Sequence, residues 1–227
     1  MTNPEVLLRQ VPLFRSLREE DTKRLAAFLQ KTTVHKGDVI CRKGEEGNTL
    51  FMIIAGKLKI VQKSQSGDEV ILAVLSTGDF CGEMALLDGL PRSADAVAVE
   101  DTLLYVLTRA DFLSCVINNG RAVKAILSTL SKRLRKADDF LADVFFLNVG
   151  ARLSKKLVEL AVNNGYNEEH GGVTELRTTQ KGLAEMIGAT RESVNKELRV
   201  LRELGLIGIA EKKITILDIE GLKQQIK

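Results

Sequence analysis

The sequence predicts an α+β protein with an N-terminal jelly-roll β-barrel, a long central helix and a C-terminal winged helix-turn-helix. Three observations predict it. Short β-branched and apolar runs, punctuated by glycine, fill the stretch from Gly37 to Leu107. A repeat stepping by four and three residues then runs from Val123 to Val144, and two capped helical segments meet at Gly188 ahead of a hairpin pattern.

The first thirty or so residues read as short helices. Arg24, Leu25, Phe28 and Leu29 continue an amphipathic pattern for which Asp21 is the expected cap. After Lys36 the period shortens. The runs VIC, LFMII, LKIV, EVILAVL, DAVAV and LLYVL follow, separated by Gly44, Gly47, Gly56, Gly67, Gly78 and Gly89. Such spacing suits the strands of a barrel or sandwich.

From Arg121 the period is helical. Val123, Leu127, Leu130, Leu134, Ala137, Leu141 and Val144 form a narrow seam of the kind that faces another helix. A helix this long exceeds what one small domain covers, so the seam predicts a homodimer; packing on the chain's own barrel is the alternative. Asn148, Val149 and Gly150 interrupt the pattern before a second helix over Ala151 to Val162, and the polar NNGYNEEHGG stretch predicts a turn. A strand, the two helices around Gly188 and a hairpin turning at Glu211 and Lys212 complete the chain. The predicted organisation is a barrel over 1–119, a dimerisation helix over 120–148 and the winged domain over 149–227.

Bulk properties set limits on function. With 227 residues, 44% of them hydrophobic, the chain can bury a core in each of two domains. It holds no apolar run near the roughly 18 to 20 residues that span a bilayer, and Met1 to Gln10 lacks the basic head and apolar block of a signal peptide. The expectation is a cytoplasmic protein with no membrane partner. Cys41, Cys81 and Cys115 are odd in number and far apart, which predicts packed free thiols and neither a metal pair nor a disulfide framework. A net charge of +3 announces no nucleic-acid partner by itself, so that case rests on local geometry.

Thr179 is the expected N-cap of a helix carrying Leu183, Ala184 and Ile187, and Thr190 that of a helix running to about Glu203. Two helices joined by about three residues with a glycine make a helix-turn-helix, and small Ala184 allows close approach. On the second helix Val194, Leu198 and Leu201 share one face. Arg191, Glu192, Asn195, Lys196 and Arg199 share the other, which is free to enter a major groove. Arginine pairs with guanine, a carboxylate accepts from the cytosine amine and lysine bonds guanine or phosphate, so Arg191, Glu192 and Lys196 are the chosen readers. Thr179, Gln180, Asn195 and Arg199 complete the predicted DNA-contacting set. A merely solvated charged face is the competing explanation for this helix.

The segment GEMALLDGLPRSA, Gly82 to Ala94, resembles the phosphate-binding cassette of cyclic-nucleotide-binding domains. Together with RESVNKELRVLRELGLI it makes nearly the whole chain similar to the CRP/FNR superfamily of bacterial regulators. Chemistry beside the resemblance agrees. Arg92 offers a forked donor set to a phosphodiester anion, and Ser93 adds a hydroxyl. Gly82 lets backbone N–H groups near Met84 and Ala85 approach it. Glu83 is placed by the resemblance on the ribose 2′-hydroxyl; a structural Arg92–Glu83 ion pair closing the turn is the alternative.

The resemblance also places the family's base-contacting positions at Ala137 and Asp138 on the long helix, of which Asp138 is the candidate. Family members responsive to cAMP place hydroxyl or amide side chains there, whereas alanine donates nothing and aspartate only accepts. Asp138 can receive the exocyclic amine of adenine or the amines of guanine, or stand as an exposed carboxylate flanking the seam. The effector that the resemblance implies is cAMP, with cGMP or another ligand as the alternative, and the implied partners are a palindromic DNA operator, a second copy of the chain and RNA polymerase. The absence of cysteines before Cys41 argues against an iron–sulfur sensor. Glu83 beside Cys81, with only His35 and His170 in the chain, argues against haem. No HxH cluster, P-loop or GxGxxG supports an enzyme. A vestigial pocket on a constitutive DNA-binding dimer, or a nucleotide-binding subunit without DNA, are the remaining alternatives.

Overall fold

A computed structural model describes residues 4–11, 14–15, 17–65, 67–116, 119–164, 166, 174–210 and 213–226, without the side chains of Leu7, Gln10, Cys115 and Val116. The predicted turns at NNGYNEEHGG and at Glu211–Lys212 fall largely or wholly outside these residues. In order, the elements are α1 (Pro4–Gln10), α2 (Glu19–Phe28), β1 (Gln30–Val34), β2 (Val39–Cys41), β3 (Thr49–Ala55), β4 (Lys57–Lys63), β5 (Glu69–Ser76), β6 (Phe80–Cys81), α3 (Glu83–Asp88), β7 (Asp95–Ala98), β8 (Thr102–Thr108) and α4 (Arg109–Val116). Then follow α5 (Gly120–Phe146), α6 (Val149–Asn163), β9 (Thr174–Arg177), α7 (Gln180–Ile187), α8 (Arg191–Glu203), β10 (Ile207–Ala210), β11 (Lys213–Ile216) and α9 (Ile219–Gln224).

The chain divides into two compact units, one comprising residues 1–64 and 72–136, the other 65–71 and 137–227. In the first, two four-stranded sheets, ordered β1-β8-β3-β6 and β2-β7-β4-β5, make the jelly roll. Strand alternation divides its side chains between two cores. Ile53, Leu58, Leu75, Cys81, Ala96, Ala98 and Leu104 fill the space inside the roll. Their neighbours Leu50, Met52, Tyr105 and Leu107 face the other way and meet Leu8, Phe14, Leu25, Phe112, Ala122 and Ile126 from the helices.

Ala122 and Ile126, four residues apart, therefore fix one face of α5 on this unit. The predicted seam lies on a different face. Leu127, Leu134 and Leu141 are 59%, 63% and 55% exposed, while Leu130 packs partly against the core. The helix thus serves both of the roles that the sequence reading set against each other: it packs on its own barrel and leaves an apolar stripe open.

In the second unit Leu153, Leu157 and Ala161 of α6 pack with Leu183, Ile187, Val194, Leu198, Leu201, Ile214 and Ile216. The hairpin β10–β11 joins β9 in a three-stranded antiparallel sheet beside the helix pair, which is the winged architecture.

Local departures from the sequence reading have simple causes. Asp21 lies within the first turn of α2, whose N-cap is Arg18 with no side-chain cap, because three acidic residues favour that turn through the helix dipole. Val149 and Gly150 belong to α6, since Asn148 caps it by accepting from the Ala151 N–H at 2.9 Å. Strand β1 was missed because QKTTV carries no apolar alternation; it forms by pairing with β8. Helix α9, capped by Asp218, was also missed.

Candidate functional site

The cassette is shaped by backbone geometry that only glycine tolerates. Gly82 sits at φ 91° and ψ 2°, turning the chain from β6 into α3, and a Cβ there would collide with the Arg92 Nη1 atom. Gly47 is equally confined: its Cβ would strike that of Ala85 and lie 3.1 Å from Arg92 Nε. The backbone of Arg92 is pinned by bonds from its N–H to Glu45 O at 2.8 Å and from the Gly44 N–H to its carbonyl at 2.9 Å.

Arg92 is only 6% exposed. Its Nη1 donates to Gly82 O at 3.1 Å, and Nη2 donates to Thr49 O at 2.8 Å and Thr49 Oγ1 at 2.9 Å. The guanidinium lies 5.4 Å from the centre of the Phe51 ring, and Nε is buried without a partner. A cation held on neutral carbonyls keeps its full charge, and thus its attraction for an anion.

Glu83 is 2% exposed, and its partner is Arg133 of α5 rather than Arg92. Arg133 Nη1 meets Glu83 Oε1 at 2.5 Å, Nη2 donates to Phe80 O at 2.5 Å, and the guanidinium lies 5.1 Å from the Phe80 ring centre. The alternative of an Arg92–Glu83 ion pair is thereby set aside. Glu83 Oε2 is buried with no partner. Arg133 was absent from the sequence-predicted set. The signal for it is positional, since it lies seven residues after Ile126 and hence on the face of α5 that packs inward.

The cassette therefore buries one donor without a partner, Arg92 Nε, and one acceptor without a partner, Glu83 Oε2. A cyclic nucleotide carries the complementary pair, a phosphodiester anion and a ribose hydroxyl. Ala85 is buried, while Met84 and Ser93 are exposed, with Ser93 Oγ 3.6 Å from Met84 Sδ. Ala137 and Asp138 are exposed residues of the second unit, and Asp138 makes no hydrogen bond or ion pair among the described residues.

The Cys81 thiol is pushed up to about 12 by burial, so it stays protonated and packs as an apolar group; burial also raises that of Cys41. The Cys115 side chain lies outside the described residues. No group of three His, Cys, Asp or Glu able to hold a metal occurs among the described residues.

In the second unit Thr179 Oγ1 accepts from the Gly182 N–H at 3.0 Å, starting α7, and Gly188 ends it at φ 62°. Thr190 Oγ1 accepts from the Ser193 N–H at 3.1 Å, starting α8. Val194, Leu198 and Leu201 are buried, and Arg191, Glu192, Lys196 and Arg199 are exposed on the opposite side. Asn195 is half-buried, its Oδ1 accepting from Gln180 Nε2 at 3.1 Å. Of the two remaining predicted residues, Thr179 is exposed with its hydroxyl engaged by the cap, and Gln180 is half-buried.

Residues 31–119 match the model of the cyclic nucleotide-binding domain, and residues 151–225 match that of the Crp-like helix-turn-helix domain. The cyclic AMP receptor protein of Thermus thermophilus is 30% identical over 94% of this chain and 95% of its own length. The chain belongs to the CRP/FNR family. A CRP-like cAMP-activated global transcriptional regulator of Mycobacterium tuberculosis is 29% identical over 97% of this chain and 99% of its own. The fold is shared with the c-di-GMP responsive global regulator CLP of Xanthomonas campestris, at a TM-score of 0.78 and 23% identity over 88% of this chain and 99% of that one. This CRP/FNR protein is accordingly a DNA-binding transcription regulator with a cyclic-nucleotide domain, and not an enzyme. None of its described helices is long and apolar enough to cross a membrane.

Proposed function

We propose that the protein is a cytoplasmic homodimer that binds a palindromic operator under the control of a cyclic nucleotide. The observation that carries this reading is the pair of buried orphan atoms, Arg92 Nε and Glu83 Oε2, in one cassette. Burying a polar atom without a partner costs on the order of 1–3 kcal/mol, and a nucleotide would recover that cost twice. Gly82, Met84 and Ala85 line the phosphate side, Ser93 supplies a further hydroxyl, and Arg133 must share Glu83 with the incoming ribose.

The open stripe of α5, with Leu127, Leu134 and Leu141 more than half exposed, supports pairing with a second copy. Two α8 helices one DNA turn apart, roughly 34 Å, would then grip two half-sites. Arg191, Glu192, Asn195 and Lys196 read bases, while Thr179, Gln180 and Arg199 position the helix. Nucleotide and DNA affinities are linked reciprocally because each shifts the same dimer equilibrium. The cAMP-activated relatives support cAMP as effector. Asp138, an acceptor only, supports cGMP as the alternative. RNA polymerase is the further partner.

Titration of an operator duplex with and without saturating cAMP or cGMP tests the proposal. The expected result is tighter DNA binding with one nucleotide and none of that gain in Arg92→Lys, which keeps the charge but loses the fork. Equal affinity under all conditions would leave a DNA-binding dimer with a vestigial pocket.

A further inference from the structure

Gln180 of α7 and Asn195 of α8 are bonded to each other through their side-chain carboxamides. Asn195 lies four residues after Arg191 and three after Glu192, so it shares their face of α8, yet it alone of the five predicted residues on that face is half-buried. Its Oδ1 is already taken by Gln180 Nε2, at 3.1 Å. Gln180 is the first residue of α7, a position fixed by the Thr179 cap, and the start of α8 is fixed by Thr190. The two carboxamides are thus held between two capped helix ends.

A free asparagine in the major groove reads adenine, accepting from N6 while donating to N7. That pairing needs the oxygen. Oδ1 keeps a second lone pair, but the bond holds that oxygen toward Gln180 of α7, so the end of the Asn195 carboxamide left for a base is Nδ2, whose two N–H groups match a base edge bearing two adjacent acceptors. Guanine offers N7 and O6 side by side, whereas adenine would set its N6 amine against a second donor. We infer that Gln180 is a positioning residue that converts Asn195 from an adenine reader into a guanine reader. The inference rests on the proposed docking of α8 in the major groove and goes beyond it by naming the base.

The test is selection of the full-length protein, with cAMP or cGMP present, on duplexes randomised over the half-site. The position read by Asn195 is the one whose preference disappears in Asn195→Ala. At that position the wild type should favour guanine over adenine by about tenfold. Gln180→Glu can only accept, so it accepts a hydrogen bond from the Asn195 Nδ2–H and turns Oδ1 outward; the preference should reverse to adenine. Gln180→Ala frees the carboxamide and should also shift the preference toward adenine. Thermal melting of each variant separates these outcomes from a loss of folding, which would lower affinity for all sequences alike and leave the base ratio unmoved.

Adenine preferred by the wild type, guanine retained by Gln180→Glu, or no preference lost in Asn195→Ala would each overturn the assignment. A wild type that selects no sequence would instead overturn groove reading by α8, and the assignment with it.

Discussion

Replacing Arg133 by methionine should destabilise the N-terminal unit out of proportion to the exposure of the side chain removed. Arg133 is 37% exposed, but the carboxylate it neutralises is 2% exposed. Two bonds are lost, one to Glu83 Oε1 and one to Phe80 O, each 2.5 Å long, together with the contact to the Phe80 ring. Hydrogen bonds to charged groups contribute about 1.5–3 kcal/mol each, and a partly exposed cation–π contact about 0.5–1 kcal/mol. Discounting for the solvent that reaches Arg133 leaves about 2–4 kcal/mol. Removing one partner also strands a buried charge, which places the loss toward the upper end.

In urea, with an m-value of about 2 kcal/mol/M, the unfolding midpoint should fall by about 1–2 M. Glu83→Gln combined with Arg133→Met removes the stranded charge. That double variant should be more stable than the sum of the single losses by at least about 1 kcal/mol. Strict additivity, or a midpoint unchanged by Arg133→Met, would show that the buried carboxylate is neutralised by some other group and would refute the reasoning.

Three further outcomes are expected. Leu134→Lys, in the middle of the open α5 stripe, should yield monomers in sedimentation while leaving each unit folded, because Leu134 is 63% exposed in the single chain. Arg191→Ala should cost about 1–3 kcal/mol at one base position and relax specificity there, whereas Arg199→Ala should weaken all sequences alike and lower the salt slope by about 1, both read by DNA titration over a salt series. The third concerns acid. The Lys43 N–H, at 2.8 Å, and then the Lys63 ammonium hold the Asp95 carboxyl below the usual carboxylate range. Its stabilising contribution is complete above about pH 4 and is lost as the pH falls through the lowered folded value. Unfolding free energy measured from neutral to acidic pH should therefore fall less steeply for Asp95→Asn.

The parts of the molecule that sequence made visible are those governed by local rules. Glycines before and after α3, threonines at the starts of α7 and α8, and apolar spacing on α5 each act within a few residues, so their pattern survives in one dimension. The elements that escaped depend on partners far along the chain. Strand β1 exists because Gln30 to Val34 pair with Thr102 to Val106, and nothing in QKTTV itself demands a strand.

The same division runs through the candidate site. Arg92 and Glu83 were legible because the cassette keeps them nine residues apart on one turn. Arg133 was not, because its role is set by a contact across fifty residues of sequence. It could have been reached by one physical demand, that a buried carboxylate needs a cation, combined with the inward face that Ala122 and Ile126 mark on α5. Gln180 and Asn195 show the converse: both belong to the DNA-contacting set that the sequence predicts, but only the structure reveals that they bond to each other. A list of donors and acceptors cannot say which atoms find a partner within the chain: Glu83 Oε2 is left without one, while Asn195 Oδ1 is engaged by Gln180.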